Sequence, residues 1–313
     1  MLGGRDGQPR SLGSVYACFV TLFLGTFRGW RVHRAELAED PDDWVGDPKR
    51  WVDAVDFAVS RDGTALVACL NWPEALAQYR LADGVLLRQV HSAVEGPLTF
   101  SGFNMRVHIP PDDAVLVLDS RLGVVYVLTP QLGLVSSIHV GRHETSYPAA
   151  CFWADAAVVA VTHTDAMRVR VFSRADGSLL RRVELSCYGS AQQRHIDGLC
   201  FMPRRRHWAL VEREPSGTVW TVSVCAESGG FLRRVTHRDL RGWTSTISCT
   251  EFDELIVESA GAVVVFGADD APAVTCFDRY TGYVIGIVAQ NGCLFVLDTH
   301  PEEENLRPSL SEN

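Results

Sequence analysis

The sequence predicts an all-β chain folded as a six-bladed β-propeller, its last blade closed by strands from the N-terminus. Three observations predict it. Stretches of helical period are nearly absent, and short β-rich runs alternate with Gly, Pro, Asp and Ser throughout. Six strongly apolar runs recur roughly 40 to 50 residues apart, and an all-strand period in the forties is that of a propeller blade. They are "ALVACL" (65–70), "AVLVLD" (114–119), "AVVAVTH" (157–163), "HWALVER" (207–213), "ELIVES" (254–259) and "CLFVLD" (293–298). One heptad is spelled nearly alike three times after a polar turn: "GVLLRQV" from Gly84, "GSLLRRV" from Gly177 and "GGFLRRV" from Gly229.

Each repeat reads as four strands. The first is a run such as "AVDFAV", "NMRVHI", "AACFWA", "DGLCFM", "TISCTE" or "YVIGIV". The second is the apolar run, nearly continuous because it is buried on both faces between neighbouring blades. The third alternates more: "LAQYRL" (76–81), "VVYVLT" (124–129), "RVRVFS" (168–173), "TVWTVSV" (218–224), "AVVVFG" (262–267). The fourth is the heptad, entered through a Gly that supplies the positive φ of a tight hairpin. Its arginines, Arg88, Arg181, Arg182, Arg233 and Arg234, read as charges that guard an exposed sheet edge. The second and fifth repeats carry degenerate versions, "LGLVSSIHV" (132–140) and "DAPAVTCF" (270–277).

The sixth repeat supplies only two strands before an acidic tail. "VYACFVTLFL" (15–24) and "GWRVHRAEL" (29–37) resemble the missing third and fourth. Closure of the ring by these strands removes two sheet edges. The expected organisation is a flexible N-terminus (1–14), a propeller over 15–300 with its sixth blade built from 281–298 and 15–37, and an acidic disordered tail (301–313). The apolar stretch 14–27 is too short to span a bilayer as a helix. A signal-peptide core is its alternative reading, which would make the protein secreted.

The net charge of −9 comes from two places: residues 36–47 hold six acids and no base, and the tail adds four acids and one Arg. The rest is near balance, which argues against a dedicated nucleic-acid binder. The nine cysteines are odd in number and never spaced C-x-x-C. They read as buried thiols in a reducing, cytoplasmic setting, neither a disulfide framework nor a zinc site.

"VSRDGTALVACLNWPEALAQYRLADGVLLRQV" (59–90) and "DAVLVLDSRLGVVYVLTPQLGLVSSIHVG" (113–141) resemble NHL repeats: an apolar second strand ending in a polar turn, a V-x-V-x third strand, then D-G and a final strand. The resemblance covers about 45–300 and lacks the regular Pro-x-Gly starts. WD-repeat signatures are missing. The resemblance implies a six-bladed ring and protein or RNA binding, and it transfers no catalytic residue.

No G-x-S-x-G, H-E-x-x-H or phosphate loop occurs, and no cofactor is expected. A metal-dependent hydrolase or lactonase, as an alternative function, would need ligands converging on the central channel; Asp53, Asp56, Asn104, His108, His195 and Asp197 are the candidates. The Arg-rich turn "PRRRHW" (203–208) suits an acidic partner or RNA phosphate, or a merely solvated hairpin. Long loops after the second and fourth strands share one face of the ring, where binding on a rigid scaffold usually lives. They carry Trp72, Arg142, His143, His163, His195, Arg213, Arg241 and Trp243, and Arg and Trp are favoured interface anchors. The expected function is therefore a non-catalytic, monomeric protein-interaction platform without a membrane span, binding through that long-loop face.

Overall fold

Each repeat becomes a four-stranded antiparallel sheet in the computed structural model. The structure describes residues 16–24, 31–36, 54–70, 74–82, 84–92, 98–101, 105–141, 150–163, 167–186, 195–213, 220–235, 246–259, 262–267, 274–277, 283–290 and 293–301. β1 (Tyr16–Leu24) and β2 (Arg31–Glu36) come first in the chain. The first sheet is then β3 (Ala54–Val59), β4 (Ala65–Leu70), β5 (Ala75–Arg80) and β6 (Leu86–His91). The second is β7 (Met105–His108), β8 (Val115–Asp119), β9 (Val124–Leu128) and β10 (Leu134–His139). The third is β11 (Ala150–Ala154), β12 (Val158–His163), β13 (Arg168–Ser173) and β14 (Leu179–Glu184). The fourth is β15 (His195–Met202), β16 (His207–Arg213), β17 (Trp220–Ala226) and β18 (Phe231–Val235). The fifth is β19 (Ile247–Cys249), β20 (Leu255–Ser259), β21 (Ala262–Phe266) and β22 (Val274–Phe277). β23 (Tyr283–Gln290) and β24 (Cys293–Pro301) end the described chain, in a sheet of order β2-β1-β24-β23.

The sheets pack face to face in sequence order, as a β-propeller. Side-chain alternation along each second strand serves two seams at once. In β8, Val115 and Val117 join a core with Val67, Cys69 and Leu76 of the first sheet. Leu116 and Leu118 turn the other way, into a core with Phe152, Val159 and Val161 of the third. All five β8 residues are buried, so the run reads as continuously apolar. Each such leucine contributes about 2 kcal/mol by leaving water. The same device joins the third sheet to the fourth, the fourth to the fifth, and the first to Phe295 of β24. Cys69, Cys200 and Cys225 are buried in these seams and Cys249 is half-buried; all four are thiols.

The repeated heptad is the outermost strand, and it hides a feature that its spelling alone does not show. Leu86 pairs with Tyr79 while Arg88 pairs with Gln78, so Leu87 is an extra, unpaired residue. Val135, Leu180 and Leu232 occupy the same position in the next three sheets. The heptad therefore encodes a β-bulge, which bends and twists an edge strand. The four bulge side chains are 48 to 63% exposed. The arginine after the bulge also does more than guard an edge. Arg88 donates to the Gln131 carbonyl and Arg181 to Glu227, each in the turn between third and fourth strands of the following sheet. These side chains fasten neighbouring sheets at their outer rim.

Candidate functional site

Antiparallel order sends the turns between first and second strands, and between third and fourth, to one face of the propeller. The long loops leave from the other. On the short-turn face, neighbouring turns are latched together. The Arg61 amide donates to the Asp113 carboxylate at 3.0 Å, and the Arg61 guanidinium to the Pro111 carbonyl at 3.0 Å, which closes the seam between first and second sheets. Arg174 closes the next, with its guanidinium 3.0 Å from Asp112 and also bonded to the Asp155 carbonyl; its side chain is only 9% exposed. Asp253 closes the seam between fourth and fifth sheets, accepting from the Arg204 and Arg205 amides at 3.0 and 2.8 Å. Arg204 adds a bond to the Glu251 carbonyl and lies 4.4 Å over the Phe252 ring.

The latching aspartates sit in the left-handed region, with φ 60° at Asp113 and 66° at Asp253. Asp tolerates that region better than most residues. In the fourth sheet the same turn position holds Arg206, at φ 56°. The matching turn of the third sheet, Asp155–Ala157, is short, and the Asp155 carboxylate is occupied by the Ala157 and Val158 amides. The seam between third and fourth sheets is thus without an aspartate latch of the kind its neighbours have, and it opens as a groove. The groove runs into the central channel, and the joint cavity is about 930 Å³.

Three aromatic rings floor the groove. Trp153 lies 4.8 Å from Phe201 and 6.1 Å from Trp208, and Phe201 lies 4.6 Å from Trp208, centroid to centroid. Trp208 is 1% exposed and donates its indole N–H to the Glu227 carbonyl at 3.2 Å. Leu180, the bulge residue, stands on the rim at 56% exposure. Beside it, Arg206 grips the Glu227 carboxylate with two bonds, Nε to Oε2 at 2.6 Å and Nη2 to Oε1 at 2.9 Å. Arg181 Nη2 donates to the same Oε1 at 2.6 Å. The hydrogen bond from Arg206 leads in pulling the Glu227 acid down to about 2, aided by Arg181 and opposed by slight burial.

The channel candidates have structural employment. The Asp56 carboxylate accepts from the Val107 amide at 2.9 Å, and His108 Nε2 donates to the Ala154 carbonyl at 2.9 Å. These bonds stitch β3 to β7 and β7 to β11, inner strands that belong to different sheets. Burial raises the Asp56 acid and lowers His108 to about 4, so the imidazole is neutral. Among the described residues no group of three His, Cys, Asp or Glu side chains is placed to hold a metal ion. Asp53 and Asn104 lie outside the described residues.

On the long-loop face, Trp72, Arg142, His143, Arg241 and Trp243 also lie outside the described residues. His163 ends β12 and His195 begins β15, where it is paired with Arg213. Arg213 Nε is 3.0 Å from Asp197 Oδ2. The structure thus gathers His195, Asp197 and Arg213 at one strand end. The groove on the opposite face escaped the sequence reading, although a signal existed: aligned turns give Gly63, Asp113, Arg206 and Asp253, and Arg206 is the outlier.

No protein-family model and no curated protein sequence matches the chain. Among solved structures, that of U3-55K superposes with a TM-score of 0.55 at 14% identity, over 77% of this chain and 73% of that one. Selenomethionine-substituted virginiamycin B lyase from Staphylococcus aureus gives 0.50 at 10% identity, over 79% and 95%. At such identities the likeness is one of fold alone: the chain is a β-propeller.

Proposed function

We propose that the protein is a protein-interaction platform: a six-bladed ring, closed by β1 and β2 against β24, that holds a partner segment in the groove between its third and fourth sheets. The observation that carries this reading is the seam without an aspartate latch, bridged at its outer rim by Arg181 and Glu227, with an aromatic floor and a charged rim, on a face whose neighbouring seams are tied through aspartates. The nine-residue register of β1 on β24, from Tyr16↔Pro301 to Leu24↔Cys293, supports the closure, as does the NHL-like repeat. A closed ring holds a groove rigid, and rigidity lowers the entropy lost on binding. The long-loop face is a second proposed contact surface, favoured by Arg213, which Asp197 holds at its rim.

Affinity capture with the unmodified chain and two variants tests the reading. One variant combines Trp153→Ala with Phe201→Ala, and the other combines Trp72→Ala, Arg213→Ala and Trp243→Ala. A partner is expected that binds the unmodified chain directly as purified components and is lost from the groove variant. A partner lost only from the second variant moves the function to the long-loop face. Absence of any such partner overturns the platform reading.

A further inference from the structure

We infer that the groove recognises a carboxylate-bearing extended peptide with an apolar anchor, a specificity that rests on the platform reading above. Glu227 supplies the argument. Its carboxylate sits at the groove rim, gripped by two side chains from different sheets: Arg181 on β14 and Arg206 in the turn before β16. A planar guanidinium fork suits a carboxylate, and charge-assisted bonds of 2.6 Å are the strong kind. The molecule thus displays at its own rim the chemistry that the rim accepts. Glu227 acts as an internal stand-in for a ligand carboxylate.

Charge points the same way. Arg205 and His207 join Arg181, Arg206 and Glu227 in lining the shallow pocket at the groove mouth. This arginine-rich cluster lies on a chain of net charge −9. Between the rim and the central channel, Leu180, Trp153 and Phe201 offer an apolar surface next to the guanidiniums. A ligand that matches both needs an apolar side chain flanked by carboxylates. An extended peptide fits the elongated seam between two sheets. A nucleic-acid strand fits less well. Trp208 is buried, and Trp153 and Phe201 meet it and each other at tilted or edge-on angles, so the rings form a packed cluster and not a row of open stacking faces.

The test is fluorescence anisotropy on the full chain. The probe is a fluorescein-labelled octapeptide of Glu and Asp around a central Leu-Trp pair. Its controls are a Gln/Asn version, a version with Ser-Ser at the centre, and single-stranded oligouridylate. The acidic, anchored peptide is expected to bind tightest. Arg181→Glu with Arg206→Glu should weaken it at least about tenfold, the worth of one charged hydrogen bond. Glu227→Gln, which releases both guanidiniums, should tighten it by about tenfold. That gain cannot come from misfolding, so the inference stays testable if the double variant is unstable. Equal binding of the Gln/Asn peptide, preference for oligouridylate, or no tightening by Glu227→Gln would each overturn it. A partner captured at the groove that ignores these charge changes refutes the specificity and leaves the platform standing; no partner at all refutes the platform.

Discussion

Two seams of the same propeller solve one packing problem in opposite ways. The seam between second and third sheets is apolar through its depth, with Leu116, Leu118, Val125, Phe152 and Val161, and Arg174 shuts it at the turn end. The seam between third and fourth sheets starts as well packed, through Val169, Leu199 and Leu210. At the turn end it changes to aromatic rings, an exposed leucine and a carboxylate shared by two arginines. The first seam spends its polar groups on closure. The second keeps closure at the outer edge, where the Ser186 amide donates to the Gly229 carbonyl at 2.9 Å, and leaves the inner mouth open. The two seams differ in their turns: the third sheet has the short Asp155–Ala157 turn and the fourth has Arg206 where the second and fifth have Asp113 and Asp253.

The sharpest way to break that contrast is at its outer tie. Gly229 has φ +97°, and a Cβ there would lie 2.0 Å from the Glu184 carbonyl oxygen. Gly229→Ala combines left-handed strain with a backbone clash, and should cost at least about 3 kcal/mol in urea unfolding. The closed seam is probed by Leu118→Ala, expected to cost about 3 kcal/mol. Phe201→Ala in the open seam should cost less, about 1 kcal/mol, because the ring is already part-solvated. If the two are equal, the groove is as closed as its neighbour.

A third test is pH. His108 bridges β7 to β11 as a neutral ring, and burial holds it at about 4 against an ordinary 6.5. Its contribution is full above pH 6.5 and is lost progressively as the pH falls toward 4, on the order of 3 kcal/mol in all. In His108→Gln the urea midpoint should vary much less across that window. The smallest effect belongs to Arg206→Ala. The side chain is 69% exposed, so unfolding stability should change by less than about 1 kcal/mol while anisotropy of the acidic peptide falls.

The repeat was legible in the chain because it rests on local pattern: a run such as "AVLVLD" must lie buried on both faces, and Gly84, Gly177 and Gly229 must turn. The observed strands fall within a few residues of those readings. The bulges at Leu87 and Leu180 were not legible, because an unpaired residue is defined by its partner strand. The groove was hidden for a related reason. Trp153 and Trp208 lie 55 residues apart in the chain, and only the packing of two sheets brings them together. In "PRRRHW" residues 203–206 form the turn between first and second strands while His207 and Trp208 begin β16, and its consequence depends on Glu227, which no spacing rule connects to it. Of the long-loop residues chosen from sequence, Trp72, Arg142, His143, Arg241 and Trp243 fall outside the described part of the chain, while His163, His195 and Arg213 lie at strand ends within it.

The four matching bulges carry one more implication. A strand from another molecule that tries to add to these rims meets hydrogen-bonding groups out of step by one residue, and it meets the same phase error on four consecutive sheets. The bulges therefore oppose lateral strand addition through backbone geometry, which salt does not screen, where a purely charged rim would lose its protection as ionic strength rises.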